Sequence, residues 1–384
     1  MELVNATKML AGYTMGMQPD GRELLVVVVK GTFSIPKQGE DLKLAEKQIP
    51  LIDADVFTGE PGYSAPLYES DHAPVKPCCD VLLNGSAYAP GGRPTERVTV
   101  SLRVGQVQKQ FDVVGNRFWV GDAFGMVSTR PEPFVVLPIT YDNAFGGIDN
   151  LNPDPSRHDA YLLNPVGRGF FPESRADLVA GKPVPNTEES GRPVGSPAGS
   201  YKAMSFGPIG RNWTPRPKYA GTYDQDWIDN VFPFLPSDFQ DRYYQCAPED
   251  QQCEYLGGGE EVVLRNLTPE GYISFKLPLV DVPVTFYLKS YEEKEVAAVC
   301  DTLMIEPDLG RFTMVWRASL PLRRNMFEVA QVVAGRMSSG WYRARELGKT
   351  YYPSLKALVD ARRAERAESG ETEEEPEELE QTEL

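Results

Sequence analysis

The stretch from Pro131 to Gly258 constrains this chain more than any other, because it holds 17 of the 33 prolines. Proline lacks a backbone N–H and clashes with the preceding helical turn, so this third of the chain cannot be mostly helix. The same stretch carries 18 aromatic residues, whereas disordered segments are poor in aromatics. It reads as an ordered, irregular coat over a β-rich body, and ordered irregular surface is where recognition usually lives. Compact words stand out within it: Tyr141-Asp142-Asn143-Ala144-Phe145-Gly146-Gly147, Asn164-Pro165-Val166-Gly167-Arg168-Gly169-Phe170, Ser205-Phe206-Gly207-Pro208-Ile209 and Trp213-Thr214-Pro215-Arg216.

The body on either side reads as β. Leu24 to Phe33 is a β-branched run after the Pro19-Asp20-Gly21 turn, long enough for a buried central strand. Asp80 to Tyr88 is a second strand region. In Arg97 to Val104, Val98, Val100, Leu102 and Val104 alternate with polar residues, the period of a half-buried strand. Gln108 to Val114 and Arg117 to Val120 continue the pattern, with Val114-Gly115-Asn116-Arg117 as the expected hairpin turn. After the coat, Glu261 to Leu267 and Tyr272 to Leu277 flank the Thr268-Pro269-Glu270-Gly271 turn. Asp301 to Glu306 and Arg311 to Arg317 flank Pro307-Asp308-Leu309-Gly310, with Phe312, Met314 and Trp316 on one face. Trp341 to Arg366 has helical composition broken at Tyr351-Tyr352-Pro353, and Ser354 is placed to cap a helix from Leu355.

The expected fold is mainly β: antiparallel sandwich or barrel-like sheets, a long ordered Pro/Gly/aromatic-rich segment and a short C-terminal helix. The expected divisions are an N-terminal β region at 1–130, the coat at 131–258, a C-terminal β region at 259–338 packing with the first, a helical extension at 339–369 and a disordered acidic tail at 370–384.

A chain of 384 residues with 41% apolar and 24% charged side chains can bury a sizeable core. No apolar run approaches the roughly 20 residues that span a bilayer. Met1-Glu2-Leu3-Val4-Asn5 lacks the basic start and apolar stretch of a secretory signal, so a cytoplasmic location is expected. Five cysteines, an odd number, point to reduced thiols. Ten glutamates lie between Arg363 and Leu384, giving that end half of the net charge of −16. An acidic chain lacks the basic footprint that phosphate backbones require, so nucleic acid is disfavoured as a partner.

A search for chemistry comes up empty. The two histidines, His72 and His158, lie in polar loops, and no Gly-x-Ser-x-Gly elbow precedes a helix. Gly257-Gly258-Gly259 precedes a strand and does not open a helix, so it fails as a phosphate cradle. No catalytic residue, cofactor site or metal site is expected. Gly-Gly after an aromatic, as in Phe145-Gly146-Gly147, suits a tight turn beneath a packed ring better than a contact surface. Trp213, Arg216, Tyr219, Tyr223 and Trp227 form a set typical of interface anchors. Tryptophan and tyrosine also bury well once their polar tips are satisfied, which leaves interface and core equally open.

The ordered words resemble a known family. Tyr141 to Gly147, Asn164 to Phe170, Phe206 to Ile209, Trp213 to Arg216, Ala220-Gly221-Thr222-Tyr223 with Trp227, Leu235 to Phe239, Ala247 to Gln252 and Asp301-Thr302-Leu303 look like a bacterial family labelled only as a domain of unknown function. Its genes lie beside those of the type VI secretion spike proteins VgrG and PAAR and their effectors. The resemblance covers roughly Lys30 to Trp316. It implies a non-enzymatic cytoplasmic adaptor or chaperone that binds an effector, a PAAR protein or VgrG and helps load the spike, with no membrane partner. Tyr141, Asp142, Phe145, Asn164, Arg168, Trp213, Arg216, Tyr223 and Trp227 are the candidate partner contacts. A carbohydrate- or peptide-acting enzyme and a structural part of the secretion apparatus are the rival readings.

Overall fold

The computed structural model describes residues 1–37, 39–122, 125–352 and 354–369. Met1–Gly335 form one compact unit and the chain from Arg336 onward forms a second. The acidic tail expected at 370–384 lies outside the described residues.

The first unit is built on three sheets. In chain order their strands are β1 (Glu2–Asn5), β2 (Leu10–Met17), β3 (Glu23–Ser34), β4 (Lys43–Leu44), β5 (Cys79–Leu83), β6 (Arg97–Val104), β7 (Val107–Val114), β8 (Thr187–Glu188) and β9 (Gln252–Cys253). Then come β10 (Glu261–Arg265), β11 (Tyr272–Lys276), β12 (Pro283–Leu288), β13 (Glu293–Ala297), β14 (Val299–Glu306), β15 (Arg311–Pro321) and β16 (Val329–Ala334). The largest sheet runs β9-β5-β14-β15-β3-β2, with β4 beside the far end of β3. A second runs β8-β7-β6-β10-β11 and a third β1-β16-β12-β13. Most pairs are antiparallel, but β5 with β14 and β1 with β16 are parallel. The sheets are open and none closes into a barrel. The protein is mainly β, as expected.

One core joins the three sheets. Val27 and Val29 of β3, Val100 and Leu102 of β6, and Val284 and Phe286 of β12 are fully buried in the same cluster. The period of two explains how. Val98, Val100, Leu102 and Val104 of β6 all point inward, and Phe312, Met314 and Trp316 of β15 share the core face. Gly310 takes the left-handed conformation that ends the turn before β15.

The expected hairpin at Val114–Arg117 does not form. β7 folds back on β6 through Gly105, whose φ of 53° suits only a tight turn, and the strand that follows Arg117 pairs elsewhere, with Gly125–Ser128. Gly115 marks a close approach instead: a side chain there would run into the Glu132 carbonyl.

The second face of the large sheet departs from the usual exposed, polar pattern. Lys30, Asp80, Glu306, Thr313 and Arg317 alternate with the core residues of their strands, yet all are buried. The irregular coat lies over them.

The second unit contains helix α2 (Ser339–Glu346) and helix α3 (Leu355–Ser369), numbered after the short coat helix α1 (Gln225–Asn230). Ser338 caps α2, and the Ser354 hydroxyl accepts from the Ala357 N–H at 3.1 Å, as the sequence predicts.

Candidate functional site

The compact words of the coat are one another's partners. Tyr141–Asn143 is a single tight turn, and Phe145 and Gly146 pair in parallel with Arg168 and Gly169. The Asn164 amide, fully buried, donates to the carbonyls of Tyr141 at 2.8 Å and Phe145 at 3.1 Å. Gly146, at φ 149°, lies so close to the Asn164 carbonyl that a Cβ would sit 2.1 Å from that oxygen. Arg168 donates from Nε to the Asp142 carbonyl at 2.9 Å and from its fork to Asn143. The Asp142 carboxylate accepts from Thr58 Oγ1 at 2.8 Å and the Ala65 N–H at 2.9 Å. Phe145 is ringed by Tyr161, Phe170 and Tyr201 at 5.0–6.1 Å.

Trp213 and Arg216 join this assembly from the inside. Trp213 packs edge-on against Tyr141 at 5.4 Å, and both are nearly fully buried. Arg216, 1% exposed, forks onto Glu69 at 2.6 and 2.8 Å and also donates to the carbonyls of Ile209 and Tyr243. Tyr141, Phe145, Asn164, Trp213 and Arg216 are buried braces of the coat, and Asp142 and Arg168 are half-buried with their polar groups bonded within it.

Tyr223 and Trp227 lie apart, on an excursion of the chain between Gly221 and Pro236. Its neck is closed by Asp238, which accepts from the Thr222 N–H at 2.9 Å and the Thr222 hydroxyl at 2.7 Å. Within it Asp224 caps α1 through the Trp227 N–H. The Trp227 ring meets Tyr223 at 4.8 Å and Phe232 at 5.5 Å, while its indole N–H donates to the Phe234 carbonyl. Phe232 is 66% exposed, Ile228 55% and Tyr223 53%. The excursion thus holds an apolar cluster ordered by its own contacts and open to solvent. Phe234 at its far end lies over Gly21, in the turn between β2 and β3. Ile228, Phe232 and Phe234 were not singled out from the sequence, because apolar residues in a proline-rich stretch read as core.

Beside the neck lies a groove of about 580 Å³, lined by Tyr141, Ile209, Tyr219, Arg242, Lys109 and Asp250 among others. That volume suits a small ligand or a few residues of a peptide. Its cations already have acceptors. Lys109 donates to Gln251 at 2.8 Å and Asp250 at 3.1 Å, Arg242 to Glu249 at 3.3 Å, and Lys202 sits 3.2 Å from Glu189. Burial pulls the Lys109 pKa below the ordinary lysine value, against the opposing pull of Asp250.

Beneath the coat, a smaller cavity of about 120 Å³ separates it from the charged face of the large sheet. Lys30–Asp71 at 2.8 Å, Lys76–Asp80 at 2.7 Å and Arg317–Asp301 at 2.6 Å are buried ion pairs around it. Asp80 also accepts from Gln245 and from the N–H groups of Cys246 and Ala247, tying the coat to β5. Burial pushes the Cys246 thiol well above the ordinary range, so it stays protonated at neutral pH. No disulfide joins the five cysteines. His72 bonds Asp53 and His158 bonds the Asn152 carbonyl, each in its own loop. Among the described residues no group of His, Cys, Asp and Glu is arranged to hold a metal ion. No helix of theirs is long and apolar enough to cross a membrane.

Fold and site together define a mainly β protein whose ordered coat is braced from within and carries an exposed aromatic cluster. The chain belongs to the family described as uncharacterized protein conserved in bacteria (DUF2169), whose model matches residues 20–317. No curated protein and no solved structure matches the chain.

Proposed function

We propose that the protein is a non-enzymatic adaptor that holds a protein partner on the excursion bearing Tyr223, Trp227, Ile228, Phe232 and Phe234. The observation that carries this reading is the exposure of an ordered apolar cluster. Contiguous exposed apolar surface on a folded protein commonly marks an interaction site, and Trp and Tyr are the residues that anchor such sites. The paired state of the groove's cations supports binding over acid–base chemistry.

The sequence resemblance supplies the partner class: a type VI secretion effector, or the PAAR or VgrG protein of the spike, met in the cytoplasm before loading. The adaptor shields the partner's apolar surface or bridges effector and spike without forming a covalent bond. Co-purification of the tagged protein with effector or spike proteins from its native host tests this directly. Tyr223→Ala and Trp227→Ala are each expected to weaken that binding about thirtyfold, the effect of losing an anchor worth about 2 kcal/mol. Unchanged affinity in both variants would refute the reading.

A further inference from the structure

The large sheet ends on one side in an unguarded strand. β2 is eight residues long, Leu10-Ala11-Gly12-Tyr13-Thr14-Met15-Gly16-Met17, without a charge, a proline or a shift of register against β3. The other margins of the three main sheets are blunted. β8 and β9 are two residues long. β1 has four and opens on Glu2. β13 carries Glu293, Lys294 and Glu295, and β11 ends in Lys276. Natural proteins shorten or charge their edge strands to prevent pairing, so a long uncharged edge signals a pairing site.

The phase of the β2–β3 ladder shows which groups are available. The Gln18 N–H donates to the Arg22 carbonyl at 2.8 Å, which makes those two residues a hydrogen-bonded pair. Alternation from that point turns the N–H and C=O of Ala11, Tyr13, Met15 and Met17 away from β3. No backbone hydrogen bond from another described residue reaches them. The side chains of Tyr13 and Met15 are exposed on the same margin.

We propose that β2 pairs antiparallel with β2 of a second copy of this chain, joining two large sheets into one across a two-fold axis at Thr14. A single antiparallel register engages all four outward residues at once. It sets Ala11 opposite Met17 and Tyr13 opposite Met15, and it forms about eight new hydrogen bonds. Each half is self-complementary. The two Tyr13–Met15 pairs are sulfur–aromatic contacts of a favourable kind. Gly12 meets Gly16, and the space their missing side chains leave is taken by Leu51 and Pro74 of the same chain. At both ends the exposed Lys8 falls near the exposed Asp20 of the other copy. Repulsion between two copies of net charge −16 is long-ranged and is screened at physiological salt. This pairing stands independently of the adaptor reading.

Analytical ultracentrifugation of the full chain over a wide concentration range tests the proposal. The unaltered protein is expected to form a dimer. Tyr13→Pro removes one outward N–H and blocks the edge, and is expected to give a folded monomer whose melting temperature no longer depends on protein concentration. Thr14→Cys tests the register. Two copies of residue 14 face each other as a non-hydrogen-bonded pair, with Cα atoms about 4.5 Å apart, within reach of a disulfide. Diamide oxidation should link this variant covalently into dimers above the unaltered-protein background, whereas Ala11→Cys, far from the axis, should not link. A protein that stays monomeric at its solubility limit overturns the proposal. So does a dimer that survives Tyr13→Pro, or a Thr14→Cys variant that fails to cross-link while Ala11→Cys succeeds. The second result would assign the contact to another surface, and the third to another register of the β2 edge.

Discussion

Arg216 shows how a side chain typical of interfaces can serve as an internal brace. Its fork is filled by both oxygens of Glu69, and the Ile209 and Tyr243 carbonyls take further donors. Replacing it with alanine leaves the nearly buried Glu69 to Arg211, 3.0 Å away, and takes this donor from the Ile209 and Tyr243 carbonyls, which should cost about 3 kcal/mol. Arg216→Lys should recover little, because one ammonium cannot match a planar fork and two carbonyls together. Trp213→Ala should also cost about 3–5 kcal/mol, by opening a cavity beside Tyr141. Trp227 stands in contrast. Its ring contacts are within the exposed excursion, so Trp227→Ala should cost about 1 kcal/mol of stability and act on partner binding instead. Urea denaturation midpoints of the four variants check the set. A midpoint for Arg216→Ala close to that of the unaltered protein would remove the brace from the argument.

At the level of elements, the sequence was legible wherever a strand's own pattern decided its fate. The alternation in β6, the apolar run of β3 and the Gly310 turn before β15 are local features, and each forms where the pattern places it. β2, β12 and β16 were not individually legible, because β2 has little pattern and the others gain their places from pairings across long separations. The failed turn at Val114–Arg117 has the same origin: Gly115 answers to Glu132, a tertiary neighbour, and not to a hairpin. For the site, the aromatic identity of Tyr223 and Trp227 was visible, but the burial of Trp213 and Arg216 was not, since Glu69 lies far away in sequence. The coat's words make a testable case of such long-range dependence. Gly146→Ala places a Cβ against the Asn164 carbonyl at a positive φ, so it should destabilise by more than about 1 kcal/mol. Asn164→Ala leaves the buried Tyr141 and Phe145 carbonyls short of a donor, at about 1–3 kcal/mol. Because the two residues are in contact, the loss in the double variant should differ from the sum of the two single losses. Strict additivity in thermal unfolding would mean that the two words are braced separately.

For the molecule as a whole, the charged layer between coat and sheet ties stability to pH, and its sign can be worked out. Burial acts to raise the Asp80 pKa, but the Lys76 ammonium and the N–H groups of Cys246 and Ala247 outweigh it and hold the carboxyl below its usual range. A carboxylate with a depressed folded pKa contributes stability that is present above its unfolded value, about 3.9, and is lost as the pH falls towards the folded value. Asp55 behaves alike: its burial is outweighed by Arg211 and the Ser70 N–H. Lys76 has the opposite sign. Burial acts to lower its pKa, yet Asp80, helped by Asp301 and Glu69, raises it. Its contribution is complete below the unfolded lysine value, about 10.4, and is lost only as the pH climbs through the folded one. The melting temperature should therefore be nearly flat from about pH 5 to about pH 9 and should fall steeply below about pH 4. Asp80→Asn removes the countercharge of a fully buried ammonium and should cost about 3–5 kcal/mol at neutral pH. Its stability should also decline less steeply in acid, because the group that takes up the proton is gone. Melting curves of the two proteins across the acid range decide the matter: equal acid slopes would show that Asp80 does not link coat, sheet and pH.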